Sequence, residues 1–346
     1  MGVGEAGLRG YYTLRGKPFP VVDASIENER EWAIKHLEAE GAILPSQFEF
    51  DETVGWRNRP NLVTDSVKIN SQGMRSDVEF DPQPKPGRRR ILLVGDSYTF
   101  GAFMTNQTCF AGRLATGRPD WDVLNQGVSG TGTDQQLLMF ETYGRQWNAD
   151  VVILGFFTRD YLRNLLYFRD ASKPRFEPDG NGLRLTHTPV SPEQIFDDYK
   201  TGRRPLEDHA RSVLVDSIVR NLKKLADSST APSSRGWALL SRIMTRFKNG
   251  VEDAGGKPLW LIIPERDCVD GPPQYAQLEE LCRKHCESMG MAYLSLSGPF
   301  REHHLENPDV PLYRPRSKGG HLSAEGNALA AQVIEKFLAE SLLPND

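Results

Sequence analysis

A serine and a distant histidine are the residues of this 346-residue chain whose types and positions suit nucleophilic chemistry. Ser97 follows the apolar run Ile91–Val94 and a Gly-Asp pair, and a sequence able to start a helix comes next. Such a residue lies at the carboxyl end of a predicted parallel strand, the edge where open α/β sheets bind ligands. A serine hydroxyl is a weak nucleophile until a base takes its proton. We expect His321 to supply that base.

Three sequence blocks occur in order: Gly95-Asp96-Ser97, then Asn-Gln-Gly-Val-Ser-Gly ending at Gly130, then His321 before a predicted helix. In these blocks the chain resembles the SGNH (GDSL-like) hydrolases, over roughly residues 89 to 346. The resemblance implies that Ser97 forms an acyl-enzyme and that His321 acts as general base and then general acid. It also implies an oxyanion hole formed by the backbone N–H groups of Ser97 and Gly130, with no metal or organic cofactor. Asp96 is expected to support the turn through local hydrogen bonds.

The third block of the family, Gly-x-Asn-Asp, is altered in this chain. Residues 155–160 read Gly-Phe-Phe-Thr-Arg-Asp, so Arg159 stands where the family has an asparagine that donates to the oxyanion. An arginine is also a hydrogen-bond donor, and its charge suits an oxyanion. Thr158 and Asn164 are the alternative donors, and Asp160 keeps the block's aspartate as a supporting residue.

The aspartate that the family usually places three, sometimes two, residues before its histidine is also missing. Those positions hold Lys318 and a glycine. An aspartate there orients the imidazole and stabilises its charged form, whereas a lysine near His321 would lower the pKa of the imidazole. We therefore expect a Ser97–His321 dyad with a backbone carbonyl as orienting acceptor. Asp309 or Glu306, from the preceding loop, is the alternative.

Alternating apolar runs and helical patterns predict the scaffold of this site. Five runs read as buried parallel strands: Ile91–Val94, Trp121–Leu124, Val151–Gly155, Leu259–Ile263 and Ala292–Leu296. Helical patterns separate most of them, which is typical of a parallel sheet covered on both faces. The prediction is a flavodoxin-like three-layer α/β/α fold with strand order 2-1-3-4-5. Its last helix should begin after Ser323 as N-cap, with Leu329, Val333 and Phe337 facing inward.

Two segments fall outside this rhythm. Residues 1–88 read as an N-terminal extension or small subdomain, with a helix over Asp23–Glu40, a short strand near Val67 and Ile69, and a Pro-rich linker before the hydrolase domain of residues 89–346. Residues 161–235 separate the third and fourth strands and contain a predicted hairpin, 175–186, and a predicted helix, 205–226. Connections this long are often functional, so we expect a cap-like insertion near the active site. A structural appendage packed elsewhere is the alternative.

Composition excludes several classes of protein. The hydrophobic share of 38% and the charged share of 25% are typical of a soluble globular protein. The net charge of −4 gives no general affinity for nucleic acid or anionic membranes. The sequence has no membrane-spanning apolar run and no secretory h-region, so a cytoplasmic location is expected. Cys282 and Cys286 share a helix face without a second ligand pair, which predicts buried thiols and no metal site.

The sequence thus predicts a serine-dependent hydrolase acting on a small-molecule or carbohydrate ester. Basic residues near the strand ends would make the pocket cationic and the substrate anionic, unless they are solvated loop charges: Arg159, Arg163, Arg314, Arg316 and Lys318. Two further functions stay open. The same acyl-enzyme suits acyl transfer, and the two missing family residues suit a non-catalytic binding protein. The acyl group and the oligomeric state are not readable from the sequence.

Overall fold

The computed structural model of the chain describes residues 3–15, 46–169, 171–191, 214, 215, 218, 234–271, 275–318 and 320–344. The helix predicted over Asp23–Glu40 and most of the helix predicted over 205–226 lie outside these residues. Within the described part, no helix is both long and apolar enough to cross a membrane.

The elements are numbered along the chain. The strands are β1 (Phe48–Asp51), β2 (Gly55–Asn58), β3 (Arg89–Gly95), β4 (Trp121–Asn125), β5 (Val151–Phe157), β6 (Phe168–Arg169), β7 (Ala171–Ser172), β8 (Arg175–Asp179), β9 (Gly182–Thr186), β10 (Lys257–Ile263) and β11 (Ala292–Ser295). The α-helices are α1 (Val3–Leu14), α2 (Ser97–Phe100), α3 (Phe110–Gly117), α4 (Thr133–Met139), α5 (Asp160–Arg163), α6 (Ser234–Asp253), α7 (Arg266–Asp270), α8 (Ala276–Met289), α9 (Ser297–Glu306) and α10 (Ala324–Phe337).

Five parallel strands form the central sheet in the order β4-β3-β5-β10-β11. Numbered along the chain, this order is 2-1-3-4-5, so the predicted fold class is confirmed. All five predicted strands form, with ends shifted by a residue or two. Strand β5 is buried at every position, as expected of a strand with helices on both faces.

Two apolar cores lie on opposite faces of the sheet, because successive side chains of a strand point to opposite sides. In β3, Leu92 and Val94 enter the core that includes residues of α4, α6 and α8. Ile91 and Leu93 enter the core that includes residues of α3, α9 and α10. The thiols of Cys282 and Cys286 are buried in the first core.

Helix α10 begins as predicted. Its buried face is rotated by about one residue from the face that the sequence predicted. The Ser323 hydroxyl caps the helix by accepting a hydrogen bond from the Gly326 N–H. Ala330 and Ile334 are fully buried. The three residues predicted to face inward are only partly buried at the flank of the core: Leu329, Val333 and Phe337.

The N-terminal segment 46–80 packs directly against the sheet domain. It contains the hairpin β1–β2 and, where a strand was predicted near Val67 and Ile69, only isolated bridges. Trp56 is completely buried in the first core, and its Nε1–H donates to the Ser129 carbonyl at 3.0 Å. Asn58 Nδ2 donates to the Gly127 carbonyl at 2.9 Å. This segment therefore shares its core with the loop that follows β4.

The hairpin predicted within residues 161–235 is formed by β8 and β9. It packs against α6, where the Arg246 guanidinium lies 4.9 Å from the centre of the Phe176 ring and Arg242 donates to the Gly180 carbonyl. The hairpin thus lies against α6, one of the helices that cover the central sheet. Most of residues 192–233 are outside the described part of the chain, so a cap formed by them stays a prediction.

Replacing Trp56 by alanine tests whether the N-terminal segment is part of the folded core. We expect the free energy of unfolding to fall by about 3–5 kcal/mol, because a large buried side chain is lost. Urea unfolding measures this change. Val63, in the same segment, is 69% exposed, and Val63→Ala is the control that should change stability by less than about 0.5 kcal/mol. Equal stability of Trp56→Ala and the wild type would contradict the shared core.

Candidate active site

Ser97 is the first residue of α2, directly after β3. The Asp96 side chain caps the helix, because its Oδ1 accepts a hydrogen bond from the Tyr98 N–H at 2.8 Å. The helix ends after one turn at Gly101, whose φ of 83° lies in the left-handed region that favours glycine. The local sequence thus holds the serine at the carboxyl end of the strand, where it was predicted.

His321 reaches Ser97 from the loop before α10. Its Nε2 lies 2.8 Å from Ser97 Oγ, within hydrogen-bonding distance. The loop is held in place by the Arg314 N–H, which donates to the His321 carbonyl at 2.7 Å, and by a bridge between Tyr313 and Leu322. A hydroxyl and an imidazole at this distance have the geometry of a nucleophile and its base.

Gly130 lies in the turn after β4 and lines the same cavity as Ser97. Its φ of 84° again favours glycine. Two hydrogen bonds tie this block to the nucleophile turn: Asn125 Nδ2 donates to the Thr99 carbonyl at 3.0 Å, and the Val128 N–H donates to the Gly95 carbonyl at 2.9 Å. The first and second sequence blocks therefore lie next to each other.

The three candidates for a third oxyanion donor lie in different environments. Arg159 lines the cavity, but its half-exposed guanidinium donates to Glu265 Oε1 at 3.1 Å. Thr158 and Asn164 are completely buried and do not line the cavity. Asn164 Oδ1 instead accepts from the Asp134 N–H at the start of α4. Of the three, only Arg159 borders the space above Ser97.

Arg163, one helical turn after Arg159, makes contacts that the sequence did not reveal. Its Nη1 donates to Asp96 Oδ2 at 2.9 Å, to Asp160 Oδ1 at 2.6 Å and to the Thr131 carbonyl at 3.0 Å. It also lines the cavity. This guanidinium therefore links the Gly-Asp-Ser block, the residue after Gly130 and the aspartate of the altered block at residues 155–160. Its spacing of four from Arg159 was the available signal.

The carboxylates beside Arg163 are fully buried, and one of them approaches the nucleophile. Asp96 Oδ2 lies 3.3 Å from Ser97 Oγ. Burial, followed by the nearby charge of Asp96, raises the pKa of Asp160 well above its usual value, while Arg163 and a hydrogen bond from Gln136 act in the opposite direction. Arg163 supplies the positive charge that offsets these buried carboxylates.

The two carboxylates that could replace the missing aspartate do not lie in the cavity that His321 lines. Glu306 and Asp309 are exposed and do not line the cavity. Lys318 ends the short 3₁₀ turn Arg316–Lys318, and its side chain lies outside the described part of the chain. Glu265 does line the cavity, and burial raises the pKa of its carboxyl, while Arg159 acts in the opposite direction.

A cavity of about 970 Å³ contains Ser97, Gly130 and His321. One wall comes from the N-terminal segment, through Leu62, Val67 and other residues, which the sequence did not predict. Charged side chains form much of the remaining lining: Arg159, Arg163, Arg169, Arg266 and Arg316, with Glu265 and Asp267. The basic side chains in this set outnumber the acidic ones.

No family model matches the chain, and no curated protein matches its sequence. Among solved structures it is similar to a lipolytic protein of the G-D-S-L family from Veillonella parvula DSM 2008, with 9% identity, a TM-score of 0.44, and coverage of 73% of this chain and 99% of the other. It is also similar to TesA, with 13% identity, a TM-score of 0.42, and coverage of 72% and 98%. It is similar, too, to a catalytic mutant of an acetylxylan esterase from Geobacillus stearothermophilus, with 13% identity, a TM-score of 0.42, and coverage of 76% of this chain and 100% of the other. Because these identities and TM-scores are low, any activity proposed for this chain has to be argued from the residues of its own site.

Replacing Arg163 by methionine tests the charge balance behind Ser97. We expect a loss of about 3–5 kcal/mol in the free energy of unfolding, because buried carboxylates lose a charged partner. Those carboxylates then bind protons more tightly in the folded than in the unfolded protein. The loss should therefore be smaller at about pH 5 than at about pH 7.

Urea unfolding of Arg163→Met and wild type at the two pH values measures both effects. Arg159→Met is the matched control, since its half-exposed side chain pairs with Glu265 at the rim and should contribute less than about 1 kcal/mol. A loss for Arg163→Met that does not change with pH would contradict the role given to the two aspartates.

Proposed function

We propose that the protein hydrolyses carboxylic esters through an acyl-enzyme on Ser97, with His321 as general base and then general acid. The observation that carries the proposal is the 2.8 Å contact between Ser97 Oγ and His321 Nε2 inside a cavity that Gly130 also lines. Nucleophile, base and an oxyanion donor are the three parts that serine-dependent ester cleavage needs.

The proposed reaction has two halves. His321 takes the proton of Ser97 as Oγ attacks the ester carbonyl, and the backbone N–H groups of Ser97 and Gly130 receive the oxyanion. Collapse of this intermediate breaks the bond to the alcohol, which leaves with the proton from His321. Water, deprotonated by His321, then attacks the acyl-enzyme. The bond from the acyl carbon to Oγ breaks, His321 returns its proton to Ser97 Oγ, and the acid is released. Each oxyanion donor typically contributes ~2.7–4 kcal/mol of transition-state stabilisation.

The exposed surroundings of the site favour water as the acceptor of the acyl group. Phe103, which lines the cavity, is 56% exposed, and the side chains of Arg159 and Arg316 are 53% and 69% exposed. Acyl transfer to an alcohol or amine requires that water be kept from the intermediate. Hydrolysis is therefore the proposed outcome, and product analysis with an added alcohol or amine distinguishes it from transfer.

The charge of the cavity supports an anionic ester, from a small molecule or a carbohydrate, as substrate. Five arginines line it, against one glutamate and one aspartate: Arg159, Arg163, Arg169, Arg266 and Arg316. A cleft lined mainly by one sign of charge concentrates ligands of the opposite sign. The substrate class that fits is an ester that also carries a carboxylate, phosphate or sulfate group.

Labelling with a fluorophosphonate probe tests the proposed nucleophile. We expect a single covalent adduct on the wild type by intact-mass spectrometry, none on Ser97→Ala, and slow labelling of His321→Ala, because the hydroxyl reacts only when a base takes its proton. Ser66 lines the same cavity, and Ser66→Ala is the control that should label like the wild type. A folded wild type that gains no adduct would contradict the proposal and favour a non-catalytic binding protein.

Steady-state kinetics with a matched pair of esters, one anionic and one neutral, test the substrate class. In the double variant Arg159→Gln with Arg316→Gln, two arginines that line the cavity, we expect KM for the anionic ester to rise up to about tenfold, since two charge contacts of roughly 0.7 kcal/mol each are lost. KM for the neutral ester should change little. Arg283→Gln, on the exposed face of α8, is the control. Equal changes in KM for the two esters would contradict an anionic substrate.

A further inference from the structure

The imidazole of His321 lies between two aromatic rings. Its centroid is 4.8 Å from that of Tyr98 and 5.3 Å from that of Phe103. Tyr98 in turn stacks on Phe157 at 4.3 Å, and the Arg314 guanidinium lies 4.9 Å from the centre of the Phe103 ring. The histidine thus takes part in a series of ring contacts that runs from Phe157 through Tyr98 and His321 to Phe103.

Phe103 occupies an unfavourable position in two respects. Its φ of 67° lies in the left-handed region, which is rarely adopted by bulky side chains. The residue is also 56% exposed, although its side chain is large and apolar. Residues held in sparsely populated backbone regions cluster at functional sites, where the surrounding structure holds them in place. The only aromatic ring that Phe103 is seen to meet among the described residues is the imidazole of His321.

The buried guanidinium of Arg75 holds the loop that carries Phe103. Its Nη1 donates to the carbonyls of Phe100 and Gly101 at 2.7 and 2.6 Å, and its Nη2 donates to the carbonyl of Met104. The loop is therefore fixed on both sides of Phe103. This clamp belongs to the N-terminal segment and explains how the chain maintains a strained residue at an exposed position.

We propose that Phe103, together with Tyr98, is a positioning residue that holds the His321 imidazole toward Ser97 and stabilises its protonated form through the π faces. An aromatic ring attracts a cation that lies over its face within about 6 Å of its centroid, and the centroid distances of 4.8 and 5.3 Å lie within this range. The family's aspartate would orient the imidazole and stabilise its charge, and in this chain the rings contribute to both tasks. The proposal rests on the proposed function.

Several other groups influence the same imidazole. Burial, followed by the charge of Asp96, raises the pKa of Tyr98, so its phenol stays neutral and acts through its ring. The remaining charged side chains around the cavity and the imidazole loop are Arg159, Arg163, Arg169, Glu265, Arg266, Asp267, Arg314 and Arg316. Arg314 lies on the Phe103 ring itself, so Phe103→Leu is compared in the wild type and in an Arg314→Gln background to isolate the contribution of the ring.

Titration of the His321 imidazole by NMR tests the proposal without relying on activity. The resonance is assigned as the one missing from His321→Ala. In Phe103→Leu we expect the pKa of His321 to fall by about half a unit, because a π face that favours the imidazolium is lost. Phe103→Trp should retain the wild-type pKa. Phe50→Leu, which shortens another partly exposed aromatic side chain on β1, is the matched control.

The sign of the shift separates this role from simple shielding. If Phe103 only keeps water from the imidazole, its removal hydrates the charged form and raises the pKa of His321. A rise, or no change, in Phe103→Leu would therefore overturn the proposal. Thermal unfolding of each variant shows that it is folded before it is titrated.

The pH profile of kcat/KM gives the second readout. The acidic limb of Phe103→Leu should move to lower pH with the pKa of His321, while kcat on the plateau falls because the base is weaker and less well oriented. Phe103→Trp should restore both. A wild type that hydrolyses no ester would contradict the proposed function alone, because the NMR titration would still decide the role of the rings.

Discussion

The close packing around the first turn of α2 is the constraint on which the rest of the site depends. Three glycines from three adjacent strands or their loops surround this turn. A Cβ on Gly95 would lie 2.0 Å from Thr99 Oγ1, one on Gly155 would lie 2.2 Å from the same atom, and one on Gly127 would lie 2.4 Å from the Phe100 nitrogen. Real Cβ atoms do not approach so closely, so only glycines allow α2 to sit against the sheet. Because the helix cannot move away, Ser97 is presented at one fixed point above the strand ends.

Two arginines, one buried and one partly buried, serve the polar groups around this fixed point. Arg163 joins the two fully buried aspartates behind Ser97, and Arg75 satisfies the carbonyls of the loop that carries Phe103. A guanidinium suits both places, since its planar fork serves several acceptors and keeps its charge when buried. These contacts stabilise the acidic turn that precedes Ser97 and the strained loop that follows it.

The N-terminal segment is a structural part of the site. Trp56 and Asn58 bind the loop that ends in Gly130, Arg75 binds the loop after α2, and residues 62–69 contribute to one cavity wall. The Pro-rich stretch before β3 suggested a boundary, because prolines and charges are typical of linkers. Composition of a linker does not reveal what the preceding residues pack against, and here they pack against the loops that flank the nucleophile.

The sequence by itself determined the five strands, the turn at Ser97 and the cap of α10, because periodicity, glycines and capping residues act over a few neighbouring residues. The strand order and the pairing of Ser97 with His321 join distant parts of the chain, and they were predicted from the resemblance to a known fold and family. Only the tertiary structure decided that Arg163 reaches Asp96, that Arg159 turns to Glu265, that Thr158 and Asn164 are buried away from the cavity, and that Phe103 meets His321. Each of these contacts joins residues far apart in the chain, or selects one rotamer among several. Their outcome depends on the distances between strand ends, which no local pattern encodes.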